Sequence, residues 1–156
     1  MPSPTQRWFE DFRVGDRFVG QTRCLDVDTF RAFAALTGDT HPIHYDPQYA
    51  AATRFGAPVA HGLLIAGMCA LGATPLSAQL QQSMIAFVEQ SLRFVAPVLE
   101  GHSVSTEFEV ASTRLARDAR RGLVRFEVNV FNQAGVLVAE GFHTYLLGCR
   151  PAEEGA

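Results

Sequence analysis

The chain is 156 residues long, 47% hydrophobic and 19% charged, with a formal net charge of −3. That length suits one domain around one core, taken here as 1–156 with loose tails at 1–6 and 151–156. The acidic balance argues against a general nucleic-acid or anionic-membrane binder, and because all thirteen basic residues are Arg, no lysine is present for Schiff-base chemistry.

Met1 to Arg7 holds no apolar run, so no secretory signal is visible. Phe30, Phe33 and Leu36 recur at helical spacing, with Asp26 or Asp28 as N-cap and Gly38 as C-cap glycine. A second helix is marked by Asp46 as N-cap, Pro47 at the first helical position and Gly56 closing it after Phe55. From Phe55 to Val88 there is no Asp, Glu, Lys or Arg. The apolar heart of that stretch runs from Gly62 to Ala73 and ends at Thr74-Pro75, short of the roughly 20 apolar residues a membrane span needs. It predicts a helix of about three turns, apolar all round and buried in a soluble core.

Beyond it the period changes to two. Val104, Thr106, Phe108 and Val110 alternate with Ser105, Glu107 and Glu109; Val124, Phe126, Val128 and Val130 alternate with Arg125, Glu127 and Asn129. Asn132 to Gly135 reads as a hairpin turn into Val136–Leu147. The expected class is α+β, an antiparallel sheet packed on one very apolar helix. Cys24, Cys69 and Cys149 are odd in number and far apart, which argues against a disulfide framework and for a reducing, cytoplasmic setting.

The chemistry concentrates in Gly38-Asp39-Thr40-His41-Pro42-Ile43-His44-Tyr45-Asp46, a loop anchored by a helix at each end and stiffened by Pro42. Such a loop can hold a carboxylate and an imidazole in fixed relation. Asp39 and His44 form a pair able to activate water and move its protons. A backbone N–H at Gly62 can receive a developing oxyanion, and a residue without a side chain permits close approach. His41-x-x-His44 with Asp46 offers a metal-like spacing, but Asp46 is explained as an N-cap and no third soft ligand is evident, so neither metal nor cofactor is expected. Read in isolation, Asp39 is a loop carboxylate, and His41, His61, His102 and His143 are structural. Arg114, Arg117, Arg120 and Arg121 read first as a solvated connection.

Gly38–Asp46 followed by Val59-Ala60-His61-Gly62-Leu63-Leu64 closely resembles the MaoC-like hydratase family, which includes (R)-specific enoyl-CoA hydratases. Trp8–Phe12 with Gly15-Asp16 looks like the family's first strand, and Phe94–Val98 with Gly101 like a later strand and turn. The resemblance implies a hot-dog fold, in which an antiparallel sheet wraps a central apolar helix. It implies hydration of an enoyl-CoA or dehydration of a 3-hydroxyacyl-CoA in fatty acid metabolism, with Asp39 and His44 as the catalytic dyad. It further implies Gly62, with His61 beside it, at the thioester, and paired subunits making at least a homodimer. Arg120 and Arg121 are carried as candidates for the phosphates of coenzyme A. Two positions depart from the pattern: His41 stands where Asn is usual, and Ala70 where some members have Ser. The competing readings are a hot-dog thioesterase and a non-catalytic acyl-CoA or acyl-carrier-protein binding module. The first needs a carboxylate near the central helix, and none occurs between Phe55 and Glu89; the second should lack Asp39 or His44.

Overall fold

A computed structural model describes residues 5–152. The expected tails at 1–4 and 153–156 lie outside the described residues. Gln6 is not loose: its amide donates to Ala78 O at 2.9 Å and accepts from Gln82 N at 3.1 Å, while Arg7 N donates to Gln79 O at 2.7 Å.

The alternating segments form the predicted antiparallel sheet. Strands β1 (Arg17–Val19), β2 (Arg23–Cys24), β3 (Met84–Phe94), β4 (Ser103–Leu115), β5 (Arg121–Asn132) and β6 (Leu137–Gly148) join in the order β1-β4-β5-β6-β3, with β2 also on β4. The register pairs Phe108 with Val128 and Val110 with Phe126, so the apolar residues of both strands share one buried face. Glu107 and Glu127 turn to the exposed side.

Helix α1 (Val27–Thr37) begins at Asp26, whose carboxylate accepts from Thr29 N at 2.9 Å, and ends at Gly38 with φ 76°. Phe30 is buried, but Leu36 is 83% exposed, so the apolar face is narrower than its spacing suggests. Helix α2 (Pro47–Ala51) stops before Gly56, which instead closes the following turn with φ 71°.

The apolar stretch departs from the expected single helix. Helix α3 covers Gly62–Met68; a 3-10 turn (Leu71–Ala73) and the short helix α4 (Leu76–Gln79) follow. The break has a cause: Leu71 N donates to Tyr145 Oη at 3.4 Å, which takes that N–H out of any helical ladder. Nor is α3 buried all round. Leu64 and Ile65 enter the core with Phe108, Val124 and Phe126, whereas Leu63 on the opposite face is 74% exposed.

Trp8–Phe12 is likewise no strand. Phe9–Asp11 is a 3-10 turn, closed by Trp8 N donating to Asp11 Oδ2 at 2.8 Å, and the Phe9 ring lies over Gly122 where a side chain would collide.

Candidate active site

Local hydrogen bonds set the loop between α1 and α2. Thr37 Oγ1 donates to Phe33 O and accepts from Asp39 N, carrying the helix end into the loop. Asp39 Oδ1 accepts from His41 N at 3.1 Å, and His41 Nδ1 accepts from Ile43 N at 3.3 Å, capping a 3-10 turn over Pro42–His44. An Asn side chain could cap the turn in the same way. Asp46 Oδ1 then accepts from Gln48 N and Tyr49 N, the N-cap role its position predicted.

His44 is fixed by the next segment. Its Nδ1–H donates to Val59 O at 2.5 Å, so in the neutral ring Nε2 keeps the lone pair. The ring stacks on His61 with centroids 3.6 Å apart and planes 23° off parallel. His61 is only 3% exposed, and its Nε2 lies 2.6 Å from Tyr45 Oη. Because the single Tyr45 hydroxyl proton goes to Asp39 O at 2.7 Å, His61 donates Nε2–H to Tyr45 and leaves Nδ1 as an unpaired buried acceptor. Desolvation, and then the neighbouring His44, hold the His61 pKa below its ordinary value, so this ring is neutral at pH 7. Tyr45 is pushed up by burial and by the Asp39 charge. The His41 N–H, aided by the three histidines, draws Asp39 below its ordinary value despite slight desolvation, so it is ionised at neutral pH.

Asp39, His44 and His61 each present a ligating atom within 4.8 Å of the other two. Among the described residues that trio, rather than His41, His44 and Asp46, is the set that could hold a metal ion. The sequence signal for His61 was its place beside Gly62; Tyr45 carried none.

His44 and Gly62 line a cavity of about 420 Å³, walled mainly by Phe55, Val59, Ile65, Phe94, Pro97 and Val138. Gly62 begins α3, so its N–H has no acceptor within the helix. A Cβ on Gly62 would come within 2.8 Å of the Phe94 ring, so the glycine also serves packing. Asp39 is half exposed and stands beside the cavity rather than on its wall, 3.6 Å from His61 Nε2. Ala70 does not line the cavity either.

Arg120 and Arg121 are not brought to this site. Arg120 lies in the β4–β5 turn and Arg121 opens β5, where its Nε meets Asp118 at 3.0 Å. Arg121 pairs with Gly148, whereas the cavity touches β6 at Val138. Along the strand that separation is roughly 33 Å at ~3.3 Å per residue. The cation that does line the cavity is Arg54, which sequence reasoning passed over.

The sequence profile of the MaoC like domain matches residues 12–131. The (R)-specific enoyl-CoA hydratase of Aeromonas caviae is 38% identical over 110 residues, 70% of this chain and 77% of that protein. The 3-hydroxybutyryl-CoA dehydratase of Methylorubrum extorquens is 35% identical over 111 residues, 71% and 68% of the two chains. The crystal structure of the MaoC-like dehydratase from Rhodospirillum rubrum superposes with a TM-score of 0.82 at 26% identity, covering 94% of this chain and 99% of that one. With its antiparallel sheet on an apolar helix and its His44–Gly62 cavity, the chain belongs to the MaoC-like hydratase family, has its hot-dog fold and is kin to the (R)-specific enoyl-CoA hydratases.

Proposed function

We propose that this protein is a lyase that adds water across the double bond of an enoyl-CoA thioester, or removes it from a 3-hydroxyacyl-CoA, using Asp39 and His44 as its dyad. The observation that carries this reading is the placement of His44 and the Gly62 N–H on one cavity, with the ionised Asp39 at the edge of the same cluster. Water held between Asp39 and His44 gives its oxygen to the β-carbon. The π electrons pass through the α-carbon to the thioester oxygen, where the Gly62 N–H receives the charge. As the carbonyl re-forms, the α-carbon takes a proton from the same shared pool. The sum is one water added, with nothing oxidised or reduced. His61 holds the underside of His44 and so supports its angle.

The proposed assembly is a homodimer. β3 has β6 on one side only, and Ile85, Phe87 and Val88 on it are each more than half exposed. An open strand edge of that kind invites pairing with a second copy. The proposed unit is a single domain over 1–156. The free thiols of Cys24, Cys69 and Cys149 fit a cytoplasmic setting, and among the described residues no helix is long and apolar enough to cross a membrane.

The test is direct incubation with short- and medium-chain enoyl-CoAs. Hydration removes the ultraviolet absorbance of the conjugated thioester. Release of free thiol instead makes the protein a thioesterase, and binding with neither change makes it an acyl-CoA module; either result overturns the reading.

A further inference from the structure

The cavity wall is apolar apart from His44 and Arg54. Arg54 is the one formally charged side chain among the residues lining it, and no carboxylate lines it. Six other arginines, at 17, 31, 93, 121, 125 and 150, have carboxylate partners; Arg54 has none among the described residues. Its guanidinium instead lies 4.8 Å from the centroid of the Phe55 ring.

The backbone that carries it is tied down. Thr53 N and Oγ1 both donate to Ala50 O, at 3.0 and 2.7 Å, and Thr53 Oγ1 accepts from Phe55 N at 3.2 Å. Gly56, with φ 71°, closes the turn behind it. Arg54 itself is exposed while Val59, Ile65 and Val98 deeper in the wall are buried, so it stands at the mouth. A guanidinium seated on an aromatic face keeps its N–H fork free for a planar or tetrahedral oxyanion.

We propose that Arg54 is the substrate-binding cation of this cavity, taking an oxyanion of the thioester substrate at the mouth. This rests on the hydratase reading of the same site. The demand for such a group follows from charge: a chain of net charge −3 whose Arg120 and Arg121 lie roughly 33 Å along the sheet must meet an anionic substrate with some local cation. Two parts of a substrate supply that chemistry, a phosphate of the carrier arm and a carboxylate on the acyl group.

Binding of saturated thioesters, which cannot be hydrated, separates this proposal from the reaction. Dissociation constants are measured by calorimetry for butyryl-CoA, for neutral butyryl-N-acetylcysteamine and for succinyl-N-acetylcysteamine, which carries a carboxylate and no phosphate. The compared quantity is the preference for each charged thioester over the neutral one, in the wild type and in Arg54→Gln. The expected result is a fall in one preference of about tenfold to a hundredfold, the worth of a charge-assisted hydrogen bond. A fall for butyryl-CoA names the phosphate, and a fall for the succinyl thioester names the acyl carboxylate. Arg54→Lys should retain part of the preference. If both preferences stay within about threefold in a variant that melts like the wild type, Arg54 is a surface residue and the proposal fails. Failure of the wild type to hydrate any enoyl-CoA would sink the hydratase reading and leave this measurement standing.

Discussion

Removing either member of the dyad should stop chemistry while the protein stays folded. In Asp39→Asn the side-chain oxygen can still accept from His41 N, a bond of 3.1 Å in the native loop, and only the charge is lost. The side chain is about half exposed, so the cost to stability should be small. His44→Ala costs more. It deletes the 2.5 Å bond to Val59 O, worth about 1 kcal/mol, and the stack on His61, worth about 0.5–1.5 kcal/mol. The sum, about 2 kcal/mol, is well inside the 5–15 kcal/mol typical of a folded domain, and the melting temperature should fall by only several degrees. Against these small costs the expected loss in kcat is about 10²–10⁴ for each variant, or ~3–5 kcal/mol on the barrier. Because both groups act on one water, the double variant should be little worse than the worse single one. The assay is loss of enoyl absorbance under saturating substrate, with circular dichroism and thermal melts run on the same samples. A folded single variant that keeps more than about a tenth of wild-type activity refutes the assignment, since that loss lies far below the general acid–base range.

Gly62→Ala should lower kcat/KM by about tenfold to a hundredfold by driving the Phe94 ring into the cavity, and Phe94→Ala added to it should recover part of the loss; no recovery would mean that the collision is not the cause. Light scattering at micromolar protein should show at least a dimer, and Val88→Arg, placed on the exposed edge strand, should raise the dimer dissociation constant by about tenfold or more; a wild-type monomer would remove the interface. Burial pushes the His143 imidazole down to about 4. A group whose folded pKa lies below its unfolded value near 6.5 binds its proton more readily in the unfolded chain, so its full stability is present above about pH 6.5 and is lost as pH falls towards 4. Urea melts should show about 3 kcal/mol more loss across that window in the wild type than in His143→Phe, and parallel curves would refute the burial argument.

The parts of this fold legible in the sequence are those where one face is buried and the other is wet. β4 and β5 alternate because Val104–Val110 and Val124–Val130 meet the core on one side and solvent on the other. α1 and α2 announced their starts because Asp26 and Asp46 cap them through local bonds that need no tertiary partner. β3 went unread because Met84-Ile85-Ala86-Phe87-Val88 does not alternate, both faces of that edge strand being apolar. The break in the apolar stretch after Met68 was equally hidden, since Tyr145, distant in sequence, supplies the hydroxyl that receives Leu71 N. In the site, the motif delivered Asp39, His44 and Gly62, but not Tyr45, whose role depends on meeting His61 across a turn of the chain. Arg54 was passed over for the arginine-rich turn because clustering is visible in a sequence and a shared cavity wall is not.

One ground for choosing hydration over hydrolysis was incomplete, because sequence distance hid a carboxylate. The absence of carboxylates between Phe55 and Glu89 counted against a thioesterase, yet Asp39 Oδ2 lies 3.6 Å from the ring of His61, the N-cap residue of α3. A carboxylate therefore does stand at the end of the central helix, delivered from another part of the chain. What favours hydration is the mutual fixing of base and oxyanion donor. Val59 N donates to Ile43 O at 3.2 Å while Val59 O accepts from His44, and Ala60 N donates to Val98 O at 2.8 Å. One dipeptide thus ties the His44 turn, the approach to Gly62 and the segment after β3 into a single frame. Acid–base groups and oxyanion donors must hold their relation to within about 0.5 Å to act together, and a frame of short backbone bonds meets that demand without help from the exposed loop around Asp39. In the proposed mechanism Asp39 is then free for the part its half-exposed place suits, holding the water that adds to the substrate.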